Sequence, residues 1–412
     1  MKKHFLFALS LASYGLVAAP SVEVVSVSPD PDQRDLTIVY TLSGEPAVVT
    51  FDVLTNGVSI GWANIHHAVG DVNRKVEAGE NKIIKWAASR SWPGNCITDS
   101  SLGVRVIAHP TNNPPAYMVV DLVQDVKTPM YYDDCSQLPG GVGARIYKTD
   151  KIVFRKIPAK GASFTMGSDA SQTGKYKPHR VMFTNDYYMA IYETTQKQIL
   201  NLTGVRGTIE FAEAEDADIM PADAVAWGSL TDSAHDSLSH YNSWNVTTRG
   251  QGVRSLSSTR SYIGKARAKT GLQLDLPTAA QWEFAARAGS GSLNHNDKDH
   301  LSLGEIAWYD ENSGGTVHPV GKKVPNAWGL YDVQGNVYEW VLDWKVSSYD
   351  YNDFEIDPPG PDKDDAYHVE ARGGRYSAAT NLCTLVSLSS RWVNSVPATG
   401  YGFRFWLKAM VP

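Results

Sequence analysis

The stretch GLYDVQGNVYEWVLDW, Gly329 to Trp344, decides how this chain is read. Asp332 and Glu339 bracket a tight turn in which Gly335 and Asn336 are free to take unusual backbone angles. Two carboxylates with main-chain carbonyls between them suit a hard cation, because calcium takes six to eight oxygens, main-chain ones included. The plainer alternative is a turn packed by Tyr338, Trp340 and Trp344, with its acids in water. Spacing alone leaves both readings open.

Other blocks lie around that turn in a fixed order. They are TMGS (Thr165–Ser168), KPHRV (Lys177–Val181), YETT (Tyr192–Thr195), DLPTAAQWEFAARAG (Asp275–Gly289) and HPVG (His318–Gly321). PNAWGLYDVQGNVYEW (Pro325–Trp340), RGG (Arg372–Gly374) and GYGFRF (Gly400–Phe405) complete the series. From about Ile152 to Trp406 the chain resembles the formylglycine-generating enzyme family, also called sulfatase-modifying factors. The resemblance implies an irregular domain related to C-type lectins. It also implies a structural calcium ion held through Asp332, Gly335, Val337 and Glu339. Enzymes of that family oxidise a sulfatase cysteine to formylglycine with oxygen and copper(I) held between two thiolates, ligands that the soft ion prefers. Aligned on RGG, and on Arg391 eight residues beyond Cys383, the second thiolate falls on Cys383 and the first on Ala378. Two further positions depart from the pattern: Arg375 stands where serine often follows RGG, and Tyr338 where tryptophan usually precedes the glutamate. Alanine offers no lone pair to a metal, so copper is not expected. The catalytic candidates that remain are Cys383 and Arg391, which matches an arginine of the family's substrate cleft.

Upstream the texture differs. SVEVVSVSP, LTIVYTLSG, VVTFDVLTNG, NKIIKWAA, LGVRVIAHP and AYMVVDLV read as short strands. Asn56-Gly57 marks a two-residue hairpin. An immunoglobulin-like β-sandwich over residues 20–132 follows from this pattern. Asp133 to Arg145, rich in Gly and Pro, reads as a linker, and residues 146–412 form the second domain. The fold class expected is therefore α+β. Helices are expected around Tyr192–Leu202 and over Leu276–Gly289. In the latter, Thr278 and Gln281 form a capping box, Gly289 stops the helix, and Trp282, Ala285 and Ala286 share a face. Between Trp227 and Leu274 a Ser/Thr/Gly-rich stretch shows little pattern. His66-His67 is discounted as a metal pair, because neighbours on a strand point to opposite faces.

The N-terminus combines Lys2 and Lys3 with an apolar run, Phe5–Val17, too short to span a bilayer, then Ala18 and Ala19. Residues 1–19 read as a secretion signal, which places the mature protein outside the cytoplasm, periplasmic or secreted. No cysteine beside the signal's end suggests a lipid anchor, and no later stretch suggests a membrane helix. In that oxidising compartment Cys96 and Cys135 are the natural disulfide, worth roughly 3–4 kcal/mol. Cys383 is then left over, inert if buried and reactive if activated. A net charge of −6 provides no basic surface for nucleic acid.

Three functions compete. The first is a catalytically silent, lectin-like binding or scaffold protein with a protein, peptide or glycan ligand, for which numerous aromatics able to reach the surface would serve. The second is an active formylglycine-generating oxidase, or altered chemistry at a lone Cys383 thiolate with Arg391 as the nearby cation. The third is a diversified ligand-binding segment over Tyr376–Trp392, although that segment lacks the expected richness in Asn and Tyr. Sequence leaves the oligomeric state open.

Overall fold

The structure is a computed structural model, describing residues 18–31, 34–95, 102–124, 128–168, 178–206, 216–231, 261–295, 301–345, 353–360, 368–392 and 397–411. Most of the signal segment, Cys96 and Lys177 lie outside these residues.

The first unit is built from β1 (Ser21–Pro29), β2 (Leu36–Ser43), β3 (Ala47–Thr55), β4 (Val58–Ser59), β5 (Ala68–Gly70), β6 (Arg74–Val76), β7 (Gly79–Trp86) and β8 (Leu102–Pro110). One sheet runs β1-β2-β7-β5; in the other, β3 is flanked by β4 and β6 on one side and pairs with β8 along its length. β2 alternates as its sequence predicts: Leu36, Ile38, Tyr40 and Leu42 are buried, and they join Val49, Phe51 and Val53 of β3 with Ile84 and Trp86 of β7 in one core. Asn56 and Gly57 take φ of 50° and 77°, as a tight hairpin between β3 and β4 requires.

β3 breaks the alternation because both of its faces are covered. Val48 packs with Met118 and Tyr131 of the following unit, while Thr50 bonds His109 at 3.0 Å. Asp52, fully buried, accepts from Arg105 at 2.7 Å and from Ser59 at 2.8 Å.

Two expectations are corrected here. The strand in AYMVVDLV, β9 (Tyr117–Asp121), and β10 (Met130–Tyr132) do not complete the sandwich. They join β11 (Lys151–Ile157) in a second sheet, so the boundary falls in the turn Thr111–Pro115, not at 133–145. An apolar strand pattern fits either sheet, and pairing partners, not local pattern, assign it. Nor is 133–145 a free linker: Asp134 and Gln137 form a capping box there, and Leu138 is buried. The histidine pair needs a correction too. His67 has φ of 52°, off any strand, and its ring centre lies 4.7 Å from that of His66.

The second unit adds β12 (Ser163–Met166), β13 (His179–Met182), β14 (Tyr187–Ala190), β15 (Tyr338–Trp344), β16 (Phe354–Ile356), β17 (His368–Arg372), β18 (Leu388–Trp392), β19 (Tyr401–Gly402) and β20 (Trp406–Lys408). Its sheets run β10-β9-β11-β14-β20, β12-β13-β16 and β18-β17-β15-β19. With few helices among many short strands, the chain is α+β. The helix expected around Tyr192 begins later, at Gln196–Thr203, because Thr195 and Gln198 close a capping box there. Ala279–Arg287 starts at the expected cap, but its left-handed stop is Ala288, and the helix is buried on every side, not one. A third helix, Tyr262–Thr270, lies within the stretch read as patternless; Ser261 caps it and Gly271 ends it in the left-handed conformation.

A chain truncated to begin at Thr111 keeps β9 and β10 and is expected to unfold cooperatively in urea. One beginning at Ile146 loses both, bares the β11 edge, and is expected to aggregate or melt without a transition in circular dichroism.

Candidate functional site

Three buried clusters meet around the turn that opens β15. In the first, Glu339 accepts from Arg404 through both carboxylate oxygens, Nη2 to Oε1 at 2.5 Å and Nε to Oε2 at 2.6 Å. Trp282 Nε1 adds a bond to Oε2 at 2.7 Å. The remaining Arg404 donors reach the carbonyls of Tyr331 at 2.8 Å and Ala190 at 3.2 Å. One guanidinium therefore ties β14, β15, the Tyr331 loop and, through Trp282, the long helix. Bidentate geometry of this kind is strong and orienting.

The second cluster surrounds Asp332, which takes φ of 55° and is buried. Its Oδ2 accepts from the Gly321 amide at 2.7 Å; Oδ1 is buried with no hydrogen-bond partner among the described residues. Burial pushes this carboxyl up to about 6, against the amide of Gly321 and the charges of Arg404 and Lys148. Glu193 crosses from the YETT block to hold the turn itself: its oxygens accept from Val337 N at 3.1 Å and Asn336 Nδ2 at 2.6 Å. Burial, followed by the charges of Asp332 and Glu339, pushes Glu193 well up.

In the third, Glu283 accepts from Arg287 at 2.7 and 2.9 Å, from the Gly167 amide at 2.9 Å, and from Arg372. This network anchors the RGG segment to the helix. Beyond it lies Cys383, fully buried in an apolar cluster with Ile306, Ala307, Tyr309 and Ala378. Its thiol donates to the Arg375 carbonyl at 3.7 Å. Gly374 permits this approach: at φ of 87°, a Cβ there would sit 2.7 Å from Cys383 Sγ. Burial pushes the thiol up to about 12, and the Asp310 carboxylate pushes the same way. Arg391 lies on β18 with its guanidinium 5.3 Å from the centre of the Tyr401 ring.

The structure thus brings Ala378 and Cys383 together in one dry cluster. Neither fits copper(I): one position has no donor atom, and the other carries a protonated thiol where the metal needs a thiolate. Calcium meets an uneven donor set. Asp332 Oδ1 is an orphaned oxygen suited to a cation, but Glu339 already accepts three N–H donors. Among the described residues no group of three or more His, Cys, Asp or Glu is gathered to hold a metal. Of the two expected carboxylates, Asp332 has an oxygen without a hydrogen bond among the described residues, while Glu339 is shared with Arg404 and Trp282. Cys135 has no disulfide partner among the described residues, and Cys96, its expected partner, lies outside them. Of the described tryptophans with assigned burial, Trp62, Trp92, Trp308 and Trp328 are half-buried and the rest are buried, while Phe354 is exposed. Glu193, Arg404 and the Glu283 network escaped sequence reading. The signal was a charge set inside an apolar block: Glu193 beside Tyr192, and Arg404 between Phe403 and Phe405.

Native Cys383 is expected to resist a thiol reagent at neutral pH and to react only after denaturation, read by peptide mass spectrometry following reduction. Arg404→Met strands Glu339 as a buried, uncompensated charge, and is expected to cost about 3–5 kcal/mol in urea unfolding.

Comparison with known proteins matches residues 150–409 to the Sulfatase-modifying factor enzyme 1-like domain. A formylglycine-generating enzyme of Streptomyces coelicolor is 31% identical over 143 residues, covering 31% of this chain and 45% of that protein. The mouse formylglycine-generating enzyme, from Mus musculus, is 23% identical over 281 residues, covering 61% and 74%. A chaperone protein LppX of Paenibacillus barcinonensis is 26% identical over 178 residues, covering 39% and 63%. The chain spans between 45% and 63% of the length of the first curated relatives it matches. Among solved structures, Treponema denticola variable protein 1 is similar at a TM-score of 0.48 with 22% identity, covering 64% of this chain and 96% of that one. PvdO from Pseudomonas aeruginosa is similar at 0.46 with 21% identity, covering 62% and 94%. The match over residues 150–409 spans well over half of the sequence: this chain belongs to the sulfatase-modifying factor family.

Proposed function

We propose that this protein is a catalytically silent member of its family, an extracytoplasmic binding or scaffold protein. Its C-type-lectin-like domain would be carried beside an immunoglobulin-like sandwich. What supports the reading is that the resemblance aligns Ala378 with the family's first copper thiolate, and that Ala378 packs in the same apolar cluster as Cys383. A two-coordinate thiolate site cannot be assembled from one thiol. The remaining thiol lies in surroundings that keep it protonated, which also speaks against a lone-cysteine nucleophile.

The ligand would be a protein, a peptide or a glycan: stacking on a sugar ring wants an accessible aromatic face, and Trp62, Trp92, Trp308 and Trp328 are half-buried, not core. The secretion signal over residues 1–19 supports an extracytoplasmic location. A Cys96–Cys135 bridge would suit that compartment.

A sulfatase-motif peptide incubated with the protein, copper(I), reductant and oxygen is expected to keep its cysteine mass beside a positive-control enzyme. Appearance of the aldehyde product would sink the reading. Ala378→Cys restores the second soft ligand, and is expected to bind copper(I) stoichiometrically in a competition titration where the parent protein does not.

A further inference from the structure

We propose that the chain's own cations, Arg404 and Lys148, neutralise the acidic turn Asp332–Glu339 in place of a divalent ion, and that the fold is calcium-independent. The inference is separate from the silent-site reading and stands or falls without it.

The geometry gives Glu339 and Glu193 internal partners, and leaves Asp332 Oδ1 without a hydrogen bond among the described residues. Glu339 is held through both oxygens by Arg404, itself fully buried, with Trp282 as a third donor. Glu193 gives its two oxygens to N–H groups of the turn, so its carboxylate fastens the loop instead of facing an ion. That leaves Asp332. Its Oδ2 takes the Gly321 amide, and over Gly321 lies the ammonium of Lys148. A Cβ at Gly321 would stand 3.0 Å from Lys148 Nζ and 2.4 Å from Cε1 of Tyr192. Only glycine, at φ of 71°, lets these two side chains close on the amide that holds Asp332.

Lys148 is itself a core residue, 6% exposed. Its Nζ sits 4.8 Å from the centre of the Tyr192 ring, a cation–π contact that helps keep a buried ammonium charged. Burial lowers its proton affinity, and Asp332 is the first charge that raises it again. The Asp332 carboxylate lies within electrostatic reach of a third cation, Lys323, whose ammonium stacks 3.7 Å from the centre of the Trp308 ring. Arg404 is thus paired with Glu339, and Lys148 and Lys323 add positive charge that Asp332 feels. A hard divalent ion entering here would meet that charge, and would share Glu339 Oε2 with two N–H donors and Oε1 with one.

The test uses the mature full chain, stripped with a chelator. Thermal unfolding followed by circular dichroism is expected to give the same midpoint in excess chelator and in millimolar calcium. Equilibrium dialysis against radioactive calcium is expected to show no stoichiometric binding. A midpoint that climbs with calcium, or one ion retained per chain, would overturn the proposal. Lys148→Met tests the substitution directly. Without its ammonium the turn is under-neutralised, so this variant is expected to melt lower in chelator and to recover with calcium. A variant that melts as the parent does in both solutions would remove Lys148 from its assigned role. Should it fail to fold, the parent's response to calcium decides alone. Peptide oxidation does not enter any of these readouts, so failure here leaves the silent-site reading untouched.

Discussion

The Glu339–Arg404 pair is the constraint on which the second unit turns. Its parts come from β15 and from the loop between β19 and β20, segments 65 residues apart in the chain. Arg404 reaches carbonyls on β14 and at Tyr331, and Glu339 reaches Trp282 on the helix. A buried ion pair is not a dependable source of net stability, because taking both charges out of water costs several kcal/mol per ion. What it supplies is specificity. Few alternative packings of these short strands would satisfy two charges and their remaining donors at once. In a domain with so little regular structure, that requirement does what long helices do elsewhere.

The same logic runs through the other two clusters. Glu283 is shared by Arg287, Arg372 and the Gly167 amide, so the segment after RGG is set by a charge at the helix. Glu193 performs that service for the turn. Around Cys383, by contrast, the surroundings are apolar, and burial outweighs the contact with the Arg375 backbone and keeps the thiol's pKa raised. The polar networks that define the domain are in place, and Ala378 and Cys383 pack together in an apolar cluster beside them. Fold and reaction are separable properties of such a chain.

How much of this could be read beforehand depended on the range of the interaction. The hairpin at Asn56-Gly57 and the capping boxes at Thr278 and Thr195 are settled within a few residues, and they stand in the structure. The helix Tyr262–Thr270 was missed because its signals, Ser261 and Gly271, sit in a polar stretch with a weak apolar face. His66 and His67 do not lie on a strand as their pattern suggests: a single left-handed residue turns the two rings toward each other.

By itself the sequence determined the family and the α+β class, since those rest on residue identity and order. Tertiary structure alone decided where the first unit ends, because β9 can pair with either sheet and only the approach of β11 chooses. It alone decided that Cys383 is buried, since an isolated cysteine has no periodicity to betray its surroundings. And it alone gave Glu193 and Glu339 their partners: groups brought together over gaps of 57 to 144 residues leave no mark on local pattern.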